Sequence, residues 1–286
     1  FTPPPSQCFE GNAFDFKPQY AVVPGATYTW SFGANGTPDS AFIAQPQNIT
    51  FSAPGWQTIS FYTTTGNCPS DAYTDSVYVK ANPVVTIDAT PQAGCPPLDV
   101  TFSNLSPALA GSSILWDFGN GDTSTTNDPL YTYQVAGNFN PSLTITSADT
   151  CSTTANLSGT IDVSPIPDAT FLATPRTVTT LNPIITFEAV FPATTCYFDF
   201  GDGSGDSSCF SQHAYQDTGM FVVNFYAINA GGCIDSAQIT VEVQDMYVLN
   251  IPSAFTPNND LINDKFQYSA QGVRSFEMQV FNRRGQ

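Results

Sequence analysis

Three times this chain writes an aromatic residue, one variable residue, then Phe-Gly. The copies are Trp30-Ser31-Phe32-Gly33, Trp116-Asp117-Phe118-Gly119 and Phe198-Asp199-Phe200-Gly201. After each comes a glycine turn, an alternating strand pattern and then a cysteine: Gly55 to Cys68, Gly137 to Cys151, and Gly219 to Cys233. Self-similarity at a period of about 80 residues constrains the architecture before any single motif does, because each copy must be one supersecondary unit. Within the copies the apolar residues alternate, as in Val100-Thr101-Phe102, Leu143-Thr144-Ile145, Ile59-Ser60-Phe61-Tyr62 and Ile239-Thr240-Val241-Glu242-Val243. Period two in β-branched and aromatic residues marks half-buried strands. Pro and Gly recur too often to leave room for a long amphipathic helix. The expectation is an all-β chain of tandem sandwiches laid end to end.

Pro-bearing strand exits divide the copies. Val77-Tyr78-Val79-Lys80 runs into Ala81-Asn82-Pro83, and Ile161-Asp162-Val163 runs into Ser164-Pro165-Ile166-Pro167. These joints predict modules over residues 1–81, 82–165 and 166–245, with a different remainder over 246–286. The linkers are short and two are stiffened by proline, so a semi-rigid string is expected. The chain begins at Phe1 without a methionine and stops just behind an apolar strand pattern, which suggests a piece of something longer.

Charged residues make up only 11% of the chain, with a formal net charge of −17. Such acidity disfavours nucleic acid and anionic membrane surfaces as partners; its plain reading is solubility. No window approaches the roughly 18 apolar residues of a membrane span. The cysteines are Cys8, Cys68, Cys95, Cys151, Cys196, Cys209 and Cys233, and the one histidine is His213. With no C-x-x-C and a single imidazole, zinc is not expected. Cysteines placed in step with the repeat point to disulfides in an oxidising compartment.

The simplest pairing puts one bridge inside each copy: Cys8–Cys68 and Cys95–Cys151. A loop of about 57 residues closed in this way is worth roughly 4 kcal/mol by chain entropy. The third copy departs from the rule, since Thr180 falls where Cys95 would align. There Cys196 and Cys209 flank the Asp202-Gly203 turn, so a Cys196–Cys209 bridge across a hairpin is expected, with Cys233 free; a rearranged pairing involving Cys233 is the alternative. Trp30, Trp116 and Phe198 are the expected core residues. Trp116 should fill the space between two sheets with Leu143 and Ile145 facing it. Asp117 and Asp199 should fix the following turn by bonding nearby backbone amides.

Copy two, from Gly94-Cys95-Pro96-Pro97 through Trp116-Asp117-Phe118-Gly119-Asn120-Gly121-Asp122 to Tyr131-Thr132-Tyr133 and Gly137-Asn138-Phe139, closely resembles the PKD (polycystic kidney disease) domain. Copy three resembles it in Asp199-Phe200-Gly201-Asp202-Gly203, His213-Ala214-Tyr215 and Gly219-Met220-Phe221; copy one is more divergent and lacks the Asp. The resemblance implies immunoglobulin-like sandwiches of secreted and cell-surface proteins. In that light the repeated motif is scaffold, with calcium at Asp117/Asp122 or Asp199/Asp202/Asp206 as the functional alternative.

The remainder, Ile251-Pro252-Ser253-Ala254-Phe255-Thr256-Pro257-Asn258 and on to Asn263-Asp264-Lys265-Phe266, resembles the start of the gliding-motility-associated C-terminal domain. That is the type B sorting domain of type IX secretion in Bacteroidota. Ser253, Asn259 and Leu261 depart from its usual I-P-N-A-F-T-P-N-G-D-G-x-N-D-x-F form. Met278-Gln279-Val280-Phe281-Asn282-Arg283-Arg284-Gly285-Gln286 resembles the family's later strand and F-N-R-x-G turn, after which about half of the family domain is missing. Asn258, Asp260, Asn263 and Asp264 form an oxygen-rich run, a candidate calcium loop or a network of Asx turns. No other cofactor is implied.

Catalysis is not expected. His213 has no serine elbow beside it, and P-loop, Rossmann and H-E-x-x-H patterns are absent. The leading expectation is a secreted surface protein. Its disulfide-stabilised repeats form a stalk, and its C-terminal domain engages the type IX machinery and an outer-membrane attachment partner. Extracellular polysaccharide or other surface proteins are further candidate partners. Two alternatives stand beside it: the spacer or polysaccharide-binding tail of a secreted hydrolase, and the subunit of an extracellular filament or sheath.

Overall fold

In this computed structural model every named element is a β-strand, and no helix occurs among the described residues. The structure describes residues 1–252, 254–256, 258–259, 261, 264–273 and 275–279.

The first repeat is organised around one long strand, Gly55–Thr65, which pairs antiparallel with Ala26–Ser31 on one side and Tyr73–Lys80 on the other. Gln7–Cys8 adds a parallel strand against Val79 and Lys80. A small second ladder joins Gly36–Thr37 to Thr50–Phe51. Alternation directs Trp30, Ile59, Val77 and Val79 inward, where they meet Phe14, Phe16, Phe32 and Phe51 in one cluster. Trp30 is fully buried, and its indole N–H donates to the Ile43 carbonyl at 3.1 Å. A buried indole stays in the core at little cost only when that donor is satisfied.

In the second repeat Leu98–Asn104 lies between Ile87–Thr90 and Leu130–Tyr133, and Ser113–Asp117 pairs with Ser142–Thr146 in a four-stranded sheet. Trp116 is fully buried, as expected, but its ring neighbour is Phe102 at 5.4 Å, from the other sheet. Leu143 and Ile145 do not face Trp116. They stand beside it in its own sheet, Leu143 paired to Trp116 and Ile145 to Ile114. The cause is that all three sit on neighbouring strands with side chains on the same face.

In the third repeat Thr195–Asp199 pairs with Gly219–Ile228, which pairs along its length with Ile234–Gln244. Phe198 is fully buried within a cluster that includes Phe187, Phe200 and Phe225. Beyond it, Val248–Asn250 pairs with Ser269–Gln271. By packing, the chain forms two compact units. One is Phe1–Ala93, Leu98–Tyr133 and Asn138–Asp162; the other is Gly94–Pro97, Gln134–Gly137 and Val163–Gln286.

The cysteines correct the sequence reading. Cys8 is bonded to Cys151 and Cys95 to Cys233, so the expected Cys8–Cys68 and Cys95–Cys151 bridges do not form. Cys233 is therefore not free; Cys68 is the cysteine outside a disulfide, and it is exposed. Strand length is the reason. Cys8 lies against Lys80, whose neighbour Val79 pairs with Gly55, while Cys68 pairs with Thr65 at the other end of that same strand. Ten residues of strand at about 3.3 Å each hold the two ends roughly 33 Å apart, whereas a disulfide requires Cα atoms within about 7 Å. Cys196–Cys209 forms as expected, with Cα atoms 5.0 Å apart.

Candidate functional site: disulfide junctions and aromatic-glycine turns

Each long-range disulfide joins the opening cysteine of one repeat to the closing cysteine of the next, spanning 143 residues for Cys8–Cys151 and 138 for Cys95–Cys233. Loops of that length are worth about 5 kcal/mol each by chain entropy, against about 3 kcal/mol for the short Cys196–Cys209 loop. The two long loops overlap, so their contributions do not simply add.

Around Cys8–Cys151 the linker residue Asn82 works in both directions. Its Oδ1 accepts from the Glu10 amide at 2.9 Å, and its Nδ2 donates to the Ser152 carbonyl at 2.9 Å. Lys80 donates to the Asp149 carbonyl at 3.2 Å, with the Asp149 carboxylate 3.9 Å away. That carboxylate is mostly exposed, so the ion pair adds little; the disulfide and Asn82 hold the joint. The Cys233 hairpin is built alike. Asn229 Oδ1 accepts from the Cys233 amide at 2.9 Å, and Asn229 Nδ2 donates to the Pro165 carbonyl. A Cβ on Gly231 would lie 2.1 Å from Ser164 Oγ, so linker and hairpin touch too closely for any larger residue. As sequence, residues 81–83 and 164–167 read as plain linkers; the signal at the first joint is Asn82 beside Pro83, and at the second it is Asn229, four residues before Cys233.

The third repeat carries no opening cysteine. Thr177–Thr179 takes the same parallel pairing as Gln7–Cys8, with Thr179 opposite Gln244 as Cys8 is opposite Lys80. The next residue, Thr180, both donates to and accepts from the Met246 backbone at 3.1 Å.

The repeated turns are locks. Asp117 and Asp199 each accept from the amide two residues on, Gly119 at 2.8 Å and Gly201 at 3.1 Å. Above each turn an aromatic ring lies flat on the motif phenylalanine: Tyr131 on Phe118 at 4.1 Å, and His213 on Phe200 at 4.2 Å. Each ring is tethered to an acid, but the acid changes place. Tyr131 donates to Asp122, at the fifth position of the turn, while His213 meets Asp202, at the third, at 2.7 Å. Burial pushes the Asp202 carboxyl up, yet bonds from Ser204 and His213 outweigh it and hold the group below its ordinary value. Beneath each ring a buried tyrosine hydroxyl donates to the motif carbonyl, Tyr133 to Phe118 at 2.8 Å and Tyr215 to Phe200 at 3.1 Å. Burial drives both phenols far above their usual range.

Ser204, His213 and Asp202 are close together but not arranged as a triad. Both Asp202 and Ser204 approach the same imidazole nitrogen, Nε2, at 2.7 and 3.5 Å, and the serine hydroxyl donates to the aspartate. A triad needs the acid on one ring nitrogen and the nucleophile on the other.

Of the candidate calcium residues, Asp260 and Asn263 lie outside the described residues. Asp264 gathers the loop by its carboxylate, which accepts from the Asn258, Asn259 and Leu261 amides at 2.9, 2.7 and 2.7 Å. Those bonds use the oxygens as turn anchors, the Asx reading of the run. Among the described residues no group of three or more His, Cys, Asp or Glu is placed to hold a metal.

Residues 80–161 match the family model described as PKD domain. The PKD1 domain of the Vibrio cholerae metalloprotease PrtV is 34% identical, covering 29% of this chain and 98% of that one, with a TM-score of 0.25. The PKD1 domain of Vibrio anguillarum Epp is 28% identical over 29% of this chain and 96% of its own, with a TM-score of 0.25. The Ca2+-stabilized adhesin with which an Antarctic bacterium binds ice is 13% identical over 84% of this chain and 72% of its own, with a TM-score of 0.32. A search of curated protein sequences gave no match. No helix among the described residues is long and apolar enough to cross a membrane. Disulfide-linked sandwiches of this kind fit an extracellular structural or binding role. The chain is a PKD-domain-containing protein.

Proposed function

We propose that this chain is a non-catalytic spacer of the bacterial cell surface, exported by type IX secretion and attached through its C-terminal segment. The observation that carries the spacer reading is the cross-repeat disulfide. A bridge inside one sandwich stabilises that sandwich alone; a bridge from each repeat to the next resists separation of the repeats, which is what a tether under tension requires. The chemistry of the turns supports the same reading, since their acids, tyrosines and histidine are spent on holding the sandwich together. The export reading rests on the sorting-domain resemblance from Ile251 onward. Trp56, 71% exposed and packed on Tyr78 at 5.0 Å, is the aromatic platform such a spacer would offer to an extracellular polysaccharide.

The test is surface proteolysis and cell fractionation of the producing bacterium, with the native protein and with the protein truncated after residue 245. The expected result is surface exposure of the native protein and intracellular retention of the truncated one. Equal surface display of both would refute the sorting role.

A further inference from the structure

The two junction disulfides follow one rule: the closing cysteine of a repeat bonds the opening cysteine of the repeat immediately before it. Cys151 and Cys233 obey the rule and are fully buried or nearly so, whereas Cys68 holds the same place in the first repeat and is exposed. The equivalence is structural. Phe61 pairs with Trp30, Leu143 with Trp116 and Phe225 with Phe198; four residues on, Thr65, Ser147 and Asn229 each open the hairpin that carries the cysteine.

A second observation points the same way. Beside the Cys151 hairpin lies a cavity of ≈ 350 Å³, lined from the second repeat by Leu109, Ile145 and Ser147. Its other wall is the exit strand and linker of the first repeat, with Tyr78, Asn82 and Val84. The matching end of the first sandwich has a cavity of ≈ 360 Å³ lined by Val23, Thr63 and Thr65. By the strand register Thr63 and Thr65 stand where Ile145 and Ser147 stand. This cavity is lined by first-repeat residues alone and is rimmed by exposed Tyr20 and half-exposed Tyr73.

We infer that the Cys68 end of the first sandwich is the receiving half of a third junction. It takes the exit strand of a further sandwich of this type, one that precedes the first repeat in the same polypeptide, and is closed by a disulfide from Cys68 to that sandwich's opening cysteine. A second copy of this chain does not supply the partner, because its two opening cysteines, Cys8 and Cys95, are already bonded. Closure takes one proton and one electron from each of two thiols. Both electrons pass by thiol–disulfide exchange to a disulfide-bearing oxidant, which leaves as a dithiol. The inference uses the disulfide register and the cavity, and none of the export argument.

The test is a disulfide map of the unreduced native protein, alkylated at once on isolation. The expected result is a Cys68 peptide joined to a cysteine peptide from a preceding repeat of the same polypeptide, with no alkylated Cys68. In the 286-residue chain by itself, folded and unreduced, Cys68 should be the cysteine that alkylates. Alkylated Cys68 in the native protein would overturn the inference. So would a Cys68–Cys68 link between copies or a link to a separate polypeptide.

Discussion

Gly119 and Gly121 occupy one turn with similar backbone angles, φ +80 and +95, and differ in their surroundings. A Cβ built on Gly119 would lie 2.6 Å from the Asn140 amide nitrogen and 3.0 Å from its carbonyl carbon; one on Gly121 meets nothing within 4 Å. Alanine at either position carries the left-handed backbone cost of roughly 1–2 kcal/mol. At Gly119 the contact is with backbone, which cannot rotate away, and forced repacking adds roughly 1–3 kcal/mol. Gly121→Ala should therefore cost about 1–2 kcal/mol and Gly119→Ala about 2–5 kcal/mol. Amide hydrogen exchange along Ser142–Thr146 reads the second sandwich separately from its neighbours. The difference should appear as an opening equilibrium about 5- to 150-fold larger in Gly119→Ala than in Gly121→Ala. Equal effects would refute the claim that the motif's first glycine exists for close backbone approach. The third repeat offers an independent copy of the comparison: a Cβ built on Gly201 would lie 2.5 Å from the Val222 carbonyl oxygen, and one on Gly203 meets nothing within 4 Å.

Removing the buried Tyr133 hydroxyl by Tyr133→Phe leaves the Phe118 carbonyl without its 2.8 Å donor. The second sandwich should lose about 1–2 kcal/mol in urea unfolding, and no loss would show that the bond is idle. Asp202 has a folded pKa below its ordinary 3.8. Its contribution is therefore complete above that value and fades as pH falls through the folded one. Urea unfolding between about pH 5 and pH 2 should show a steeper acid loss for the native chain than for Asp202→Asn, and parallel curves would contradict the assignment.

Much of the architecture was legible because it rests on short-range pattern. Alternation placed the strands, and the same alternation put Trp30, Trp116 and Phe198 inside. Cys196–Cys209 was legible because both partners flank one turn. The long disulfides were not, because proximity in sequence is a poor guide when a strand such as Gly55–Thr65 separates the two ends of its sandwich by its whole length. Counting cysteines does not decide the matter either. Pairing inside repeats leaves Cys233 over, and pairing between repeats leaves Cys68 over, so one cysteine is unpaired in both schemes. The exchange of Tyr131–Asp122 for His213–Asp202 was hidden for a different reason. The acid moves two positions when the ring changes, and only the stacked geometry shows that both pairs do the same work. Asn82 was read as linker because its two partners, Glu10 and Ser152, are some 70 residues away on either side.

The account turns on whether the disulfides cross between repeats. Digestion of the unreduced 286-residue chain, followed by mass mapping of the linked peptides, reads this directly. The structure predicts peptides joining Cys8 to Cys151, Cys95 to Cys233 and Cys196 to Cys209. Peptides joining Cys8 to Cys68 and Cys95 to Cys151 would contradict it, and with it the reading of the chain as a stapled spacer.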